Sequence, residues 1–292
     1  MTESATNDIR AIARRLLADG TVSVVIGYGD AGPNRTVPIF ARTAAQADRL
    51  VVSHSALNNL TVYLTRALRP GGGRIAIVAK GCDVRALVML MSESQIARED
   101  VYVIGVACAG VTTSMGQPMS AETVAAKCRD CIVRTPPLYD ELVGVQCEPP
   151  ATSDVLDRRI AEIEAMSAHE RFDYWAAELE LCTRCYACRQ VCPLCYCTQC
   201  IVDRSVPQWI ETSASPRANL SWNLTRAFHL AGRCVGCNEC ERACPAGIPL
   251  SLLNRQLAAT ALREFGYVPG IDPAAPALVG TYDLADREEY IR

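Results

Sequence analysis

Seven cysteines fall within the nineteen residues from Cys182 to Cys200. Four of them have the spacing Cys-x-x-Cys-x-x-Cys-x-x-x-Cys-Pro, and the same pattern with its proline recurs from Cys234 to Pro245. In such motifs three thiolates on one tight loop hold three corners of an iron–sulfur cube, while the cysteine before proline ligates the other cube. The repeat therefore predicts two 4Fe-4S clusters. One set of ligands is Cys182, Cys185, Cys188 and Cys244, and the other is Cys234, Cys237, Cys240 and Cys192.

Two other interpretations of these cysteines are open. Structural zinc needs four ligands, and because the chain has three histidines such sites would be nearly all cysteine. The spacing Cys188-x-x-x-Cys192-x-x-Cys195 also matches radical S-adenosylmethionine enzymes. That motif normally follows the first strand of a barrel, whereas here it lies inside a fuller ferredoxin pattern, so we expect the ferredoxin interpretation.

The interval between Cys192 and Cys234 is longer than a compact two-cluster ferredoxin uses. It contains a predicted helix at 221–232, with Leu224, Phe228 and Ala231 on one face. Residues 175–265 thus resemble the helical two-cluster ferredoxin domains of fumarate reductase and heterodisulfide reductase iron–sulfur subunits. The resemblance implies electron relay, since cysteines saturate both cubes. Four arginines beside the cysteines either raise cluster potentials, dock an acidic partner or only aid solubility: Arg184, Arg189, Arg233 and Arg242.

Short apolar segments alternate with helical patterns in the first half of the chain, which predicts an α/β domain with a largely parallel sheet. The predicted strands are 21–29, 50–54, 74–79 and 101–107, and the predicted helices are 9–17, 57–68, 83–91 and 120–128. Gly27-x-Gly29-x-x-Gly32 spells a dinucleotide-binding fingerprint. Because prolines and β-branched residues follow it, we expect a turn between strands there and no phosphate-binding helix.

Changes in composition divide the chain. We expect an α/β domain with a 4Fe-4S site over 1–150, ending near the prolines of 147–153, and a helical linker over 151–180. A mostly α-helical dicluster ferredoxin domain over 181–268 and an extended tail over 269–292 complete the expected organisation. Helices are predicted within 155–181 and at 250–266.

Four cysteines of the first domain are scattered in sequence but not in the predicted fold. Cys82 and Cys108 each follow a predicted strand, and Cys128-x-x-Cys131 lies at a helix end. The carboxyl ends of parallel strands meet at one edge of a sheet, so these four thiols form a candidate ligand set. Two alternatives stay open: Cys82 and Cys108 only pack in the core, or the Cys-x-x-Cys is a redox pair.

The segments "AKGCDVRALVML", "VIGVAC" and "KCRDC" within residues 20–145 resemble the beta-subunit family of the coenzyme F-420-reducing hydrogenases and formate dehydrogenases. The resemblance implies that Cys82, Cys108, Cys128 and Cys131 bind a third 4Fe-4S cluster. Family members also bind FAD and pass electrons between it and a deazaflavin or a partner subunit. "GCDVRAL" either contacts such a flavin or belongs to the cluster site alone, and no flavin ligand is assigned.

Four cysteines remain, which is the number a further cube needs: Cys147, Cys195, Cys197 and Cys200. Cys-x-Cys-x-x-Cys places three thiolates on one turn, so this triplet with Cys147, or with a cysteine of the N-terminal set, is a candidate fourth cluster. Alternatively these cysteines are not ligands or share a zinc. About eight irons per chain would refute both extra clusters, and about sixteen would support both.

The composition excludes several function classes. The sequence lacks the basic stripe that is typical of nucleic-acid-binding proteins. No apolar run reaches the length of a membrane span, and the N-terminus has no apolar signal core. Half the residues are apolar and the net charge is −3, as in globular proteins. Ligand-spaced cysteines without a signal sequence indicate a reduced, cytoplasmic protein.

No general acid–base pair or nucleophile emerges, so we expect an electron-transfer subunit of a hetero-oligomeric oxidoreductase. It would relay electrons between a flavin- or metal-containing partner and another redox subunit. The partner enzyme would be of hydrogenase, formate dehydrogenase, heterodisulfide reductase or aldehyde-oxidising type. The alternatives are a flavoenzyme that oxidises or reduces a deazaflavin-type hydride carrier, and an assembly or scaffolding protein with structural clusters.

Overall fold

The computed structural model describes residues 3–66, 73–148, 155–282 and 284–285. Its first half is a mixed, mostly parallel six-stranded sheet with helices, and its second half is helical, which confirms the predicted fold class. The strands are β1 (Val24–Asp30), β2 (Thr36–Ala41), β3 (Leu50–Val51), β4 (Ile75–Ala79), β5 (Val101–Val106) and β6 (Glu141–Val143). The helices of the first half are α1 (Glu3–Ala18), α2 (Ala44–Ala47), α3 (Val62–Arg66), α4 (Gly81–Ser92) and α5 (Ala126–Arg129).

The sheet has the order β2-β1-β4-β5-β6, with β1, β4, β5 and β6 parallel and with β2 and β3 antiparallel to β1. Strand β4 is buried along its whole length. Its side chains alternate between two apolar layers: Ala76 and Val78 pack with α1, while Ile75 and Ile77 pack with α4. A strand covered on both faces reads as a continuous apolar run, which is why β4 was recognisable in the sequence.

The glycine-rich stretch at the end of β1 leads into a turn between strands, as predicted from its prolines, and the two strands form a hairpin. Strand β1 turns over residues 31–35 and returns as β2, with Asp30 opposite Thr36. Two of the glycines lie within the strand and permit close packing. A Cβ on Gly27 would overlap the Leu50 side chain, and one on Gly29 would lie 2.9 Å from Ile39 Cγ2.

Two predicted helices are shorter in the structure than their patterns indicate. In 120–128 only the last turn is helical, as α5, because Ser120 and Thr123 bond each other's backbone and side chains and compete with helix formation. In 57–68 the described helix is α3, since Asn59 Oδ1 accepts the Thr61 N–H just before it; residues 67–68 lie outside the described residues. Strand β2, which follows the predicted turn, was given no predicted bounds, and the three-residue strand β6 was not predicted.

The second half is built from helices. They are α6 (Val155–Ala165), α7 (Ala168–Glu180), α8 (Ala187–Gln190), α9 (Pro216–His229), α10 (Glu239–Arg242) and α11 (Leu250–Phe265). A capping box of Ser167 and Glu170 starts α7 and separates it from α6, so the predicted linker is a helix pair. None of the helices in the described ranges combines the length and apolar character of a membrane span.

Helix α4 carries much of the contact between the two halves. The Arg85 guanidinium donates to the carbonyl oxygens of Val235 and Pro269 at 2.7–3.1 Å. Glu93, which caps the other end of α4, forms an ion pair with Arg233 and accepts a hydrogen bond from Tyr196 at 2.9 Å. These bonds join the sheet to the second cysteine motif and to the start of the C-terminal tail.

Candidate metal centres

The two cysteine motifs have the same backbone as well as the same spacing. The residues immediately before and after the second cysteine are left-handed in both: Arg184 and Tyr186 at φ 58° and 59°, and Gly236 and Asn238 at φ 68° and 55°. A one-turn helix carrying the third cysteine follows each, α8 in the first motif and α10 in the second. Non-glycine residues adopt this conformation only where the surrounding structure stabilises it. The backbone of both loops is therefore held in a tight curve around a cavity.

Each motif contributes its fourth cysteine to the cavity of the other. One cavity, which we name site A, has Cys182, Cys185, Cys188 and Cys244 on its walls together with Trp222, Ile248 and Leu250. The second, site B, has Cys192, Cys234, Cys237 and Cys240 with Leu194, Leu230 and Val235. The structure thus brings together each predicted set of four, including the exchanged cysteine.

Helix α9 lies between these two cavities and lines both. Its buried face carries Asn219, Trp222, Asn223 and Arg226, which recur with the period of a helix. Trp222 lines site A and Arg226 lines site B, while Asn219 Nδ2 donates to the carbonyl oxygen of Cys182 at 2.7 Å.

The face predicted for this helix is not the one that lines the sites. Leu224, Phe228 and Ala231 have helical spacing, but Phe228 is 65% exposed in the structure. The functional face was missed because it is mostly polar, and a polar stripe is ordinarily the solvent face of a helix. The signal available in the sequence was the recurrence of Asn, Trp, Asn and Arg at helical spacing.

Sites A and B suit an iron–sulfur cluster in their donor chemistry. Trp222 Nε1 and Arg226 Nε are buried N–H groups with no partner among the described residues, one on each cavity, and cluster sulfurs accept hydrogen bonds of this kind. Burial raises the pKa of the Cys240 thiol to about 12. A bound metal would therefore have to replace the Cys240 thiol proton.

The cysteine sets surround cavities and not single points. Within the described ranges, no three His, Cys, Asp or Glu side chains lie close enough together to hold one metal ion. The radical S-adenosylmethionine triplet is also divided, because Cys188 lines site A and Cys192 lines site B.

The N-terminal cysteines line a third cavity, site C, which encloses about 430 Å³. Strands β4 and β5 end at the same edge of the sheet, so Cys82 in the first turn of α4 and Cys108 just after β5 face the same space. Cys128 on α5 and Cys131 complete the set, and Cys128 Sγ accepts the Val111 N–H at 3.3 Å. Parallel-strand topology accounts for this convergence.

The lining of site C is strongly basic. Among the residues that the structure describes, its wall carries one acidic side chain, Asp130, and these bases: Lys80, Arg85, Lys127, Arg129, Arg134 and Arg255. Burial raises the pKa of the Cys108 thiol to about 11, so a bound metal would have to replace this thiol proton as well. Lys80 and Lys127 pair with Asp83 and Glu239, but the arginines still leave an excess of positive charge, which suits an anionic occupant such as a thiolate-ligated cluster.

Gly81 permits the close approach that closes site C. A Cβ at this position would overlap the carbonyl oxygen of Val133 and lie 2.9 Å from Val133 Cγ1. We expect Gly81→Ala to push the Cys82 turn away from the Cys131–Val133 loop, lowering the free energy of unfolding by about 1–3 kcal/mol. Thermal unfolding and iron content of Gly81→Ala measure this, with Gly280→Ala, which has open space around it, as the matched control. Equal stability of the two variants would contradict it.

A buried ion pair holds the turn that presents Cys82. The Lys80 ammonium lies 2.9 Å from Asp83 Oδ2, 2.6 Å from Tyr28 Oη and 3.1 Å from the Asn58 carbonyl oxygen. The Asp83 carboxylate also accepts the N–H groups of Lys80 and Leu60 at 2.8 and 3.1 Å. Every charge in this buried network has a partner, as buried charges require.

The three cavities are neighbours in the order C, B, A. Cys234 lies on the walls of both site C and site B. Lys127, next to Cys128, donates to the Cys237 carbonyl oxygen at 2.9 Å and lies 3.5 Å from Glu239 Oε1. Between sites B and A, Arg226 donates to the Cys188 carbonyl oxygen at 3.1 Å.

The last four cysteines are not gathered around one cavity in the described residues. Cys195 packs beside Cys192 and hydrogen-bonds to it, whereas Cys200 packs in the apolar cluster around Trp222. Cys197 is exposed, and the backbone N–H of Cys147 donates a hydrogen bond to Thr135 Oγ1 at 3.0 Å. A fourth cluster formed by these cysteines stays a prediction.

The arginines beside the motifs are not free surface charges. Three of them form ion pairs: Arg189 with Asp203, Arg233 with Glu93 and Arg242 with Glu239. The fourth, Arg184, is 7% exposed and donates to the carbonyl oxygens of Ala218 and Glu211. Carboxylates thus cancel most of the charge that the sequence places beside the cysteines.

Comparison with known proteins places these features in context. Residues 181–249 match the family model of the 4Fe-4S dicluster domain. The chain is 33% identical over 104 residues to the F420-dependent formate dehydrogenase subunit beta of Methanocaldococcus jannaschii, and 33% identical over 106 residues to the F420-dependent formate dehydrogenase 1 subunit beta of Methanococcus maripaludis. Each match covers 36% of this chain and 27% of the relative, so the chain matches about a quarter of each relative's length.

Among solved structures, the xenon-derivatised F420-reducing [NiFe] hydrogenase complex of Methanosarcina barkeri aligns over 38% of each chain, at 17% identity and a TM-score of 0.29. This likeness is too weak to add to the sequence matches. The dicluster match covers the part of the chain that holds sites A and B. The chain therefore carries a 4Fe-4S dicluster domain and is related in sequence to the beta subunits of F420-dependent formate dehydrogenases.

Proposed function

We propose that this chain is an iron–sulfur electron-transfer subunit of a larger oxidoreductase, holding one 4Fe-4S cluster at each of sites A, B and C. The observation that carries the proposal is the arrangement of twelve cysteines in three sets of four, each on the wall of its own cavity, with the cavities adjacent in a row. When bound, such clusters take up and release single electrons.

The residues of the chain have defined tasks in this proposal. Four cysteines per site saturate a cube and leave no iron open to a substrate, which favours relay over catalysis. Apolar side chains such as Leu194, Leu230 and Ile248 keep water from the cavities of sites A and B. Because site B lies between the other two, electrons would pass through it in either direction between sites C and A.

The relatives suggest the setting of this relay. They are beta subunits of F420-dependent formate dehydrogenases, so we propose that this chain also works with further redox subunits, in a reducing, cytoplasmic compartment. Electrons would pass between a flavin- or metal-containing partner and another redox subunit. Copurification of the native complex identifies that partner.

Metal analysis tests the proposal directly. After anaerobic purification or reconstitution we expect about twelve irons and twelve acid-labile sulfides per chain, about four for each cluster. Dithionite should bleach the visible absorbance and produce the electron paramagnetic resonance (EPR) signals of reduced 4Fe-4S clusters. About eight irons would restrict the relay to sites A and B, and about sixteen would add a fourth cluster. Stoichiometric zinc without sulfide, or clusters that cannot be reduced, would overturn the relay.

A second candidate function, a flavoenzyme acting on a deazaflavin-type carrier, is favoured by the size and charge of site C. Its volume of about 430 Å³ falls in the range of small-molecule sites, and its basic lining suits the phosphates of FAD. Titration of the cluster-loaded chain with FAD, followed by flavin fluorescence, tests this candidate. Saturable, stoichiometric quenching would support a flavin at this chain, and none would leave relay alone.

A further inference from the structure

Arg226 is a buried cation on the helix that separates sites A and B. It is 7% exposed, donates to the Cys188 carbonyl oxygen at 3.1 Å, and hydrogen-bonds to the Cys195 side chain. Its Nε has no hydrogen-bond partner, and no carboxylate of the described residues forms an ion pair with it. A buried guanidinium without a carboxylate is unusual, because charges buried in proteins are paired or neutralised.

Several cysteines surround Arg226. Its guanidinium donates to the Cys188 carbonyl oxygen, and its other neighbours include the side chains of Cys195, Cys192 and Cys240. Three of the four are proposed ligands, with Cys188 at site A and Cys192 and Cys240 at site B. The guanidinium therefore faces the ligand shells of two proposed clusters at once.

Neighbouring arginines differ from Arg226 in this respect. Arg189 and Arg242, each within the helical turn of a motif, form ion pairs with Asp203 and Glu239. Their positive charge is largely cancelled close to its source. No carboxylate in the described part of the chain forms an ion pair with Arg226, so its charge acts on whatever charge the cysteine sets hold.

Reduction adds one negative charge to a cluster. A fixed positive charge within a few ångströms, in a poorly solvated interior, stabilises the reduced form more than the oxidised form and so raises the reduction potential. We propose that the positive charge of Arg226 raises the reduction potentials of the clusters at sites A and B above the values they would have without it. This inference rests on the proposed function, since it requires clusters at both sites.

The contacts also predict which site is more affected. Arg226 lines the cavity of site B, whereas it reaches site A through a main-chain carbonyl. The larger shift is expected at site B, the middle position of the relay. A higher potential at site B would favour electron transfer to it from the cluster at site A or at site C.

The test is an anaerobic redox titration of the cluster-loaded full chain, followed by EPR. Arg226→Gln removes the charge, whereas Arg226→Lys retains the charge but replaces the planar guanidinium group with an ammonium group. Arg217→Gln is the control, because it makes the same change on the exposed surface of the same helix. In Arg226→Gln we expect the ratio of reduced to oxidised cluster at a fixed potential to fall about tenfold, which is about 59 mV for a one-electron couple. Arg226→Lys should retain most of the wild-type potential, and Arg217→Gln all of it.

Iron and sulfide content separate failure of this inference from failure of the proposed function. Wild-type chain without reducible clusters refutes the function itself. Unchanged midpoint potentials in an Arg226→Gln chain with wild-type iron content overturn the inference and leave the relay standing. If Arg226→Gln does not retain iron, Arg226→His at about pH 9, where imidazole is ordinarily neutral, supplies a second uncharged variant. Potentials equal to those of wild type at that pH overturn the inference, and lower ones support it.

Discussion

A chain in which Cys192 and Cys237 are both replaced by alanine is expected to lose one cluster and keep the others unchanged. The two cysteines belong to different sequence motifs, yet both line site B. Because the cysteine before each proline serves the other motif's cube, the pair removes two ligands from the same cluster and none from site A. Iron content should fall by about four per chain.

The complementary pair has the opposite effect. Cys192 and Cys185 lie in the same motif but line sites B and A respectively. Replacing both with alanine removes one ligand from each of two clusters, so we expect the EPR signals of both to change. The two double variants carry the same number of substitutions, which makes each the control for the other.

EPR spectra of the dithionite-reduced proteins distinguish the two outcomes. If each motif held its own cube, Cys192→Ala with Cys185→Ala would alter a single cluster, and Cys192→Ala with Cys237→Ala would alter two. That result would contradict the exchange of ligands between the motifs. Loss of all iron in both variants would be resolved with serine in place of alanine.

Asp83→Ala is expected to lower the free energy of unfolding by about 3–5 kcal/mol, the usual cost of breaking a buried ion pair from one side. The substitution leaves the Lys80 ammonium, whose side chain is 4% exposed, without its carboxylate. It also leaves the N–H groups of Lys80 and Leu60 without an acceptor. Denaturant unfolding followed by circular dichroism measures the loss.

The double variant Lys80→Met with Asp83→Ala tests the cause. Removing both charges eliminates the unpaired cation, so the double variant should be more stable than Asp83→Ala alone. A double variant as unstable as the sum of the two single variants would contradict the ion-pair explanation. Such additivity would point to independent packing defects.

Alkaline pH should produce the same weakening in the wild type. Burial lowers the pKa of Lys80, but the charge of Asp83 and the contact with Tyr28 outweigh it and raise the pKa well above its ordinary value of 10.5. A raised lysine pKa means that the pair stabilises the fold fully below about pH 10 and that this stabilisation is lost as the pH rises through the folded-state pKa. Lys80→Met should show less of this alkaline loss.

Local patterns accounted for much of the fold. The continuous apolar run of β4 and the prolines after the glycine-rich stretch predicted a strand and a turn between strands, and both are present. The predicted helix at 120–128 failed because Ser120 and Thr123 bond locally, an outcome that periodicity does not register. Strand β6 is three residues long and is stabilised by its pairing with β5, so no local sequence pattern predicts it.

Cysteine spacing by itself determined which thiols belong together in sites A and B, since the chemistry of a cube dictates the loop that holds it and the exchange of the fourth ligand. Tertiary structure alone decided what lies between the sites. The polar face of α9 turns inward, so Trp222 and Arg226 line the two cavities, and Cys234 is shared by the walls of sites B and C. The physical reason is that ligand spacing is local along the chain, whereas the burial of a charge depends on contacts between residues that are remote in sequence.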